Sequence, residues 1–207
     1  QVFLGNDEAA LRAAAPLLVR YAPSCNSVPN ATHALLLLPL LRLGNIEQAA
    51  KHHRDYRNLM QDEGSLVFIA RHLEFLGLLG DLEAALKLLE KHLPWAFRTR
   101  DLNDRYAFLR ATLPLFARLR SSGENTLKLR LDRDFPHLQE NGEYDLSTLE
   151  NQIRADVLEI AAKFDTRNGN SSFSSGIEPD MELLERPAQL LPEEKPKAQK
   201  PSNSRKG

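Results

Sequence analysis

The chain has 207 residues, and its 27 Lys plus Arg nearly balance its 28 Asp plus Glu, so no net field selects nucleic acid or a membrane surface. One cysteine, Cys25, leaves no intrachain partner for a disulfide. The longest apolar run, Ala34 to Leu41, carries Pro39 and is too short to cross a bilayer, so a cytoplasmic protein of one domain plus tails is expected.

A short phrase sets the punctuation of the first half. It reads Gly5-Asn6-Asp7-Glu8-Ala9-Ala10, then Gly44-Asn45-Ile46-Glu47-Gln48-Ala49, then Gly80-Asp81-Leu82-Glu83-Ala84-Ala85; the glycines are 39 and then 36 residues apart. Glycine takes the left-handed conformation that ends a helix. Asn or Asp behind it accepts from the free amides of a new helix, and the following Glu suits the positive end of the helix dipole. Alanine one turn later lets two helices approach. Stop, turn, start and close contact make an antiparallel helical hairpin. Because the phrase at Gly5 has no helix before it, further repeats or another domain upstream are expected.

The elements follow in chain order. A first helix is expected from Asp7 to Tyr21, with Ala10, Ala14, Leu17, Leu18 and Tyr21 at helical spacing, then a loop through Pro23 and Pro29. Thr32 to Leu43 is apolar on nearly every side, the pattern of a buried helix, bent at Pro39. Ile46 to Gln61 pairs with it, turning Ala49, Ala50, His53, Tyr56 and Met60 inward. Leu66 to Leu79 and Leu82 to Leu93 form the next hairpin, which Pro94-Trp95 ends. Asn103 to Arg120 puts Tyr106, Leu109, Leu113 and Phe116 on one side, and Ser121 to Glu124 echoes the turn phrase. Leu127 to Leu131 alternates apolar and basic residues as a strand does, and Asn141-Gly142 offers a turn. Ser147-Thr148-Leu149-Glu150 reads as a capping box before a helix with a stripe of Leu149, Ile153, Val157, Ile160, Ala161 and Phe164, stopped at Asn168-Gly169. Beyond residue 170 the composition turns to Ser, Pro, Glu and Lys, the pattern of a flexible tail, in which Met181 to Leu184 could form one helical turn or a short docking motif.

The period, the Gly-Asn/Asp turn, the Glu after it and the Ala of the second helix resemble tetratricopeptide repeats over residues 1–123. His33 and Ile69 stand where that family has a large aromatic, and Leu37 and Leu73 where it has a small residue. The resemblance implies an all-α solenoid of helical hairpins, followed by an insert and capping helix over 124–169 and the tail over 170–207. It also implies a concave face lined by the first helices. Ala34, Leu38 and Leu41 would contribute from one helix, Val67, Ala70, Arg71 and Glu74 from the next, and Arg110 and Ala117 from the third. Such a face suits an amphipathic helix or an extended peptide with apolar anchors. Ala34, Leu38 and Ala70 stand where a chaperone-type carboxylate clamp would need polar groups, so that activity is not expected.

Other residues point to less. Arg98, Arg100, Arg105, Arg110, Arg118 and Arg120 cluster around one hairpin, but Asp101, Asp104, Glu124, Asp132 and Asp134 interleave with them, as on a face laced with ion pairs. The histidines, His33, His52, His53, His72, His92 and His137, show no i, i+4 pair; neighbours such as His52 and His53 point about 100° apart, so no metal site is expected. No phosphate loop, nucleophile elbow or paired-carboxylate pattern is present. The expected function is a non-catalytic protein-interaction or scaffold module without a cofactor, binding another protein or peptide segment or an upstream domain. A regulatory sensor domain attached to an enzyme or transcription factor, and a nucleic-acid-binding solenoid using the arginine-rich hairpin, are the alternatives.

Overall fold

The structure is a computed structural model that describes residues 5–18, 28, 30–57 and 63–191. Tyr21, Cys25, Met60 and residues 192–207 lie outside the described residues, as does the side chain of Tyr56. The described chain is mostly helical: α1 (Asp7–Ala14, extended by a 3-10 turn to Leu18), α2 (Asn30–Arg42), α3 (Ile46–Arg57), α4 (Leu66–Leu79), α5 (Leu82–Arg98), α6 (Leu102–Ser121), α7 (Leu146–Asn168) and two short helices, α8 (Ser172–Ser175) and α9 (Met181–Glu185). Strands β1 (Thr126–Lys128) and β2 (Glu143–Asp145) pair antiparallel, with Leu127 opposite Tyr144.

The turn phrase builds one elbow repeatedly. Gly5, Gly44, Gly80 and Gly123 all have positive φ, between 67° and 90°. After Gly44, Gly80 and Gly123 the chain closes back the same way: Asn45 N donates to Leu40 O at 2.8 Å, Asp81 N to Leu76 O at 3.1 Å and Glu124 N to Leu119 O at 3.0 Å. These bonds satisfy carbonyls that a helix end otherwise leaves bare. The side chains of Asn6 and Asp81 then cap the next helices, accepting from Ala9 N and Ala84 N. Ala49 and Ala85, one turn on, are fully buried.

Helices α2, α4 and α6 lie side by side, α6 also packs on α7, and the α4–α6 interface is the most extensive in the molecule. Helix α3 pairs with α2, and α5 packs on both α4 and α6. Helix α4 therefore sits in the middle, which accounts for its nearly unbroken apolar sequence: from Ile69 to Leu79 only Arg71 is not buried. A Cβ on Gly77 would stand 2.8 Å from Leu115 N, so this glycine permits the close approach of α4 to α6.

Several boundaries differ from the sequence reading, each for a physical reason. Helix α5 runs through Pro94 to Arg98, because Leu93, Pro94 and Ala96 are buried and tertiary packing holds the turn that proline weakens. The β1–β2 ribbon is closed by the long segment 129–142, not by a two-residue turn at Asn141-Gly142, since Phe135 plugs into the core beside Phe97 and Tyr144. Helix α7 is capped by Asp145, whose side chain accepts from Thr148 N at 2.7 Å, and not by Ser147. Glu150, freed from the expected capping box, is buried between Arg120 and Arg154. Residues 170–191, expected as flexible tail, are folded against the helices; Ile177 and Leu183 are each 2% exposed.

Candidate functional site

Helices α4 and α6 run in register at the spacing of the turn phrase. Val67 and Asn103, Ala70 and Tyr106, Arg71 and Ala107, and Glu74 and Arg110 are each 36 residues apart, as are Gly44 and Gly80. All eight line one cavity of about 510 Å³, which the turn at Ser172, Phe173 and Gly176 completes. Glu74 is buried there and accepts from Arg71 Nη1 at 3.1 Å and from Arg110 Nη2 at 2.6 Å. Arg110 Nη1 also donates to Gly176 O at 3.1 Å, and Tyr106 Oη donates to Phe173 O at 2.7 Å. Burial raises the Tyr106 phenol above its ordinary pKa, so the hydroxyl stays a donor. Phe173 stacks on Phe164 with centroids 4.4 Å apart and meets Tyr106 edge-on. Asp165 holds the turn, accepting from Phe173 N, Ser174 N and the Ser174 hydroxyl.

The cavity is thus an apolar slot of Val67, Ala70, Ala107 and Phe173 with polar groups in fixed places. Its size and mixed lining fit a few side chains of a peptide or a small molecule. Nothing in it pairs a nucleophile with a base.

Five of the nine expected groove residues meet here: Val67, Ala70, Arg71, Glu74 and Arg110. Ala117, half-buried further along α6, does not line the cavity, and neither do the other three. Ala34, Leu38 and Leu41 were expected on an exposed side but are 1%, 7% and 4% exposed. Ala34 and Leu38 are the positions on α2 one period before Ala70 and Glu74, and within the apolar run 34–41 they close against the neighbouring helices. Leu41 lies beneath the C-terminal segment, in a pocket of about 110 Å³ shared with Leu79, Leu183 and Arg186. Sequence reading missed Asn103, Tyr106, Ala107 and Phe173. Adding 36 to Val67, Ala70 and Arg71 would have found the first three; Phe173 is brought by the tail, and no local signal marks it.

The segment from 177 to 191 continues along the same helices toward the C-terminal ends of α2 and α4. Arg118 reaches across from α6 and donates to Leu78 O, Leu183 O and Arg186 O at 2.8–2.9 Å. Arg186 in turn donates to Leu41 O and Arg42 O, at the end of α2, and Gln189 N to Leu79 O. Arg42 pairs with Asp180 at 3.0 Å and with Asp7 at 3.6 Å.

Four of the six histidines form pairs between helices. Nδ1 of His53 on α3 meets Nδ1 of His72 on α4 at 2.8 Å, and Nδ1 of His52 meets that of His33 on α2. Each pair spans 19 residues. The divergence of neighbours on one helix, which keeps His52 and His53 apart, sends each to a different partner helix. Burial, and then the neighbouring His52, push His33 down to about 4; burial lowers His52 and brings His72 well below its ordinary value. Among the described residues no group of three or more His, Cys, Asp or Glu is arranged to hold a metal ion.

The arginine-rich hairpin is largely spent on its own neighbours. Arg98 pairs with Asp132 and Asp134, Arg120 with Glu150, and Arg105 donates to the carbonyls of Ala96, Phe97 and Thr99. Among the described residues no helix is long and apolar enough to cross a membrane. No family model matches the chain, and no curated protein or solved structure matches it either.

Proposed function

We propose that this chain is a tetratricopeptide-like solenoid acting as a non-catalytic interaction module in the cytoplasm, and that the face of α4 and α6 receives a segment of another polypeptide. The observation that carries this reading is the convergence of Val67, Ala70, Arg71, Glu74 and Arg110 on one cavity in 36-residue register. Stacked equivalent helices present equivalent positions side by side, so side chains that change from repeat to repeat make a graded surface. At the α2 positions those side chains are Ala34 and Leu38 and the surface is closed; at the α6 positions they are Tyr106 and Arg110 and it is open. A bound segment would place apolar side chains against Val67, Ala70, Ala107 and Phe173, with Asn103 and Arg71 giving polar contacts at the rim. A few buried anchors would set the affinity. The engagement of Arg98, Arg105, Arg110, Arg118 and Arg120 by carboxylates and carbonyls favours this reading over the nucleic-acid alternative.

The test is selection of random peptides on the full chain, with the bound site mapped by amide chemical shifts. Peptides that shift Val67, Ala70, Asn103 and Ala107, and that lose binding in Ala107→Trp, support the reading. Selected peptides that ignore Ala107→Trp refute it.

A further inference from the structure

The C-terminal half of the same face is already occupied, by this chain's own residues 177–191. We infer that this strap is an exchangeable occupant: a partner segment carrying an aspartate helix cap, a leucine three residues later and an arginine three beyond that binds the same place by displacing it. The inference rests on reading the α4–α6 face as a peptide-binding surface, and names the partner's chemistry and the control on its access.

Four observations carry it. The strap has its own local order: Asp180 caps α9 by accepting from Leu183 N, and Pro179 and Pro187 bracket the single turn between them. It is therefore a self-contained linear element. Few of its side chains are sealed; Ile177 and Leu183 are buried, while Met181 is 59% and Leu190 77% exposed. Much of its polar attachment reads main chain. Arg118 binds the carbonyls of residues 183 and 186, and Leu79 O accepts from the amide of residue 189, contacts that any polypeptide in this path can make. Finally, charge is complementary at both ends of the turn. Arg42 on the helix face meets Asp180, and Arg186 of the strap meets the carbonyls at the negative end of α2. A Cβ on Gly80 would stand 2.5 Å from the Ala188 Cβ, so the missing side chain of Gly80 lets the strap lie this close to the elbow.

Tethering gives the strap a high effective concentration, so a free segment of equal intrinsic affinity binds the intact chain weakly. Weakening the strap should then strengthen binding in trans, a sign opposite to that of an ordinary contact mutation.

The probe is a fluorescent peptide of residues 177–191, titrated by anisotropy into the full chain. Leu183→Asp in the chain should tighten binding of the wild-type peptide at least tenfold over the unmodified chain. Leu183→Asp in the peptide, or Arg118→Met added to the Leu183→Asp chain, should remove it. Should Leu183→Asp impair folding, Asp180→Ala, which loses only the cap and the Arg42 pair, should give the same ordering with a smaller gain. Equal affinity for the intact and strap-weakened chains, with hydrogen exchange showing residues 177–191 released, overturns the inference. A wild-type dimer that dissociates on adding the peptide also overturns it, because the occupant is then the strap of a second copy. Neither result touches the cavity at the other end of the face, whose peptides are scored by Ala107→Trp, so the inference and the functional reading fail separately.

Discussion

The two halves of the α4–α6 face are built from the same pair of helices and end up in opposite states. The N-terminal half keeps a cavity of about 510 Å³, because Arg71, Glu74, Tyr106 and Arg110 are long, polar and tied to one another or to residues 173 and 176. The C-terminal half is closed, because Gly77 draws the helices together and the strap caps carbonyls that the ends of α2 and α4 leave bare. One helix pair can thus leave a cavity at one end and make a fold contact at the other, depending on whether its facing positions are polar or small.

The comparison breaks most visibly at Arg118. Its guanidinium ties α6 to Leu78 O and to two strap carbonyls, and hydrogen bonds from a charged group are strong ones. Arg118→Met should cost about 2–4 kcal/mol in urea unfolding and remove hydrogen-exchange protection from residues 177–191. Unchanged protection there would mean that the strap is held by its apolar side chains alone. Next comes Gly77→Ala, which forces a Cβ into Leu115 N and should cost about 1–3 kcal/mol by thermal unfolding. A neutral result would show that the helices can slide apart and that closeness is not what shuts this half.

Acid should act on a third region. Folded His33 and His92 stay neutral down to about 4, and His52 and His72 are also lowered, all by burial first. Unfolded rings take protons near 6.5. Stability is therefore complete above pH 6.5 and declines as pH falls from there toward about 4. The melting temperature at pH 5 should lie several degrees below that at pH 7.5, and exchange should rise in α2 and α3 before the strap. The smallest effect is expected from Arg71→Gln. Its partner Glu74 keeps Arg110, so unfolding should shift by less than about 0.5 kcal/mol, while any peptide selected on the cavity binds more weakly.

The repeat carried most of the fold in the sequence. Gly44 and Gly80 with the Asn or Asp behind them announce elbows by local conformational preference alone, and the largely apolar stretch 66–79, broken only by Arg71, His72 and Glu74, announces a central helix. Boundaries set by distant packing were hidden: helix α5 crosses Pro94 because residues from other elements bury that turn, and Asp145 rather than Ser147 caps α7 because β2 delivers it there. The site was half legible for the same reason. Positions in 36-residue register could be enumerated, but exposure could not, since burial of Leu41 depends on Leu183 and Arg186 from far along the chain. A tail rich in Ser, Pro and Glu gives no local sign that Phe173 will dock, and around Leu183 only the short, mostly apolar run Met181 to Leu184 stands out.

The most direct measurement is amide-shift mapping of a cavity-selected peptide on the full chain and on Ala107→Trp. The account predicts shifts centred on Val67, Ala70, Asn103 and Ala107 and loss of binding in a variant that still melts cooperatively. Shifts centred on the outer helices α3 and α5, or binding that survives the tryptophan, would contradict it.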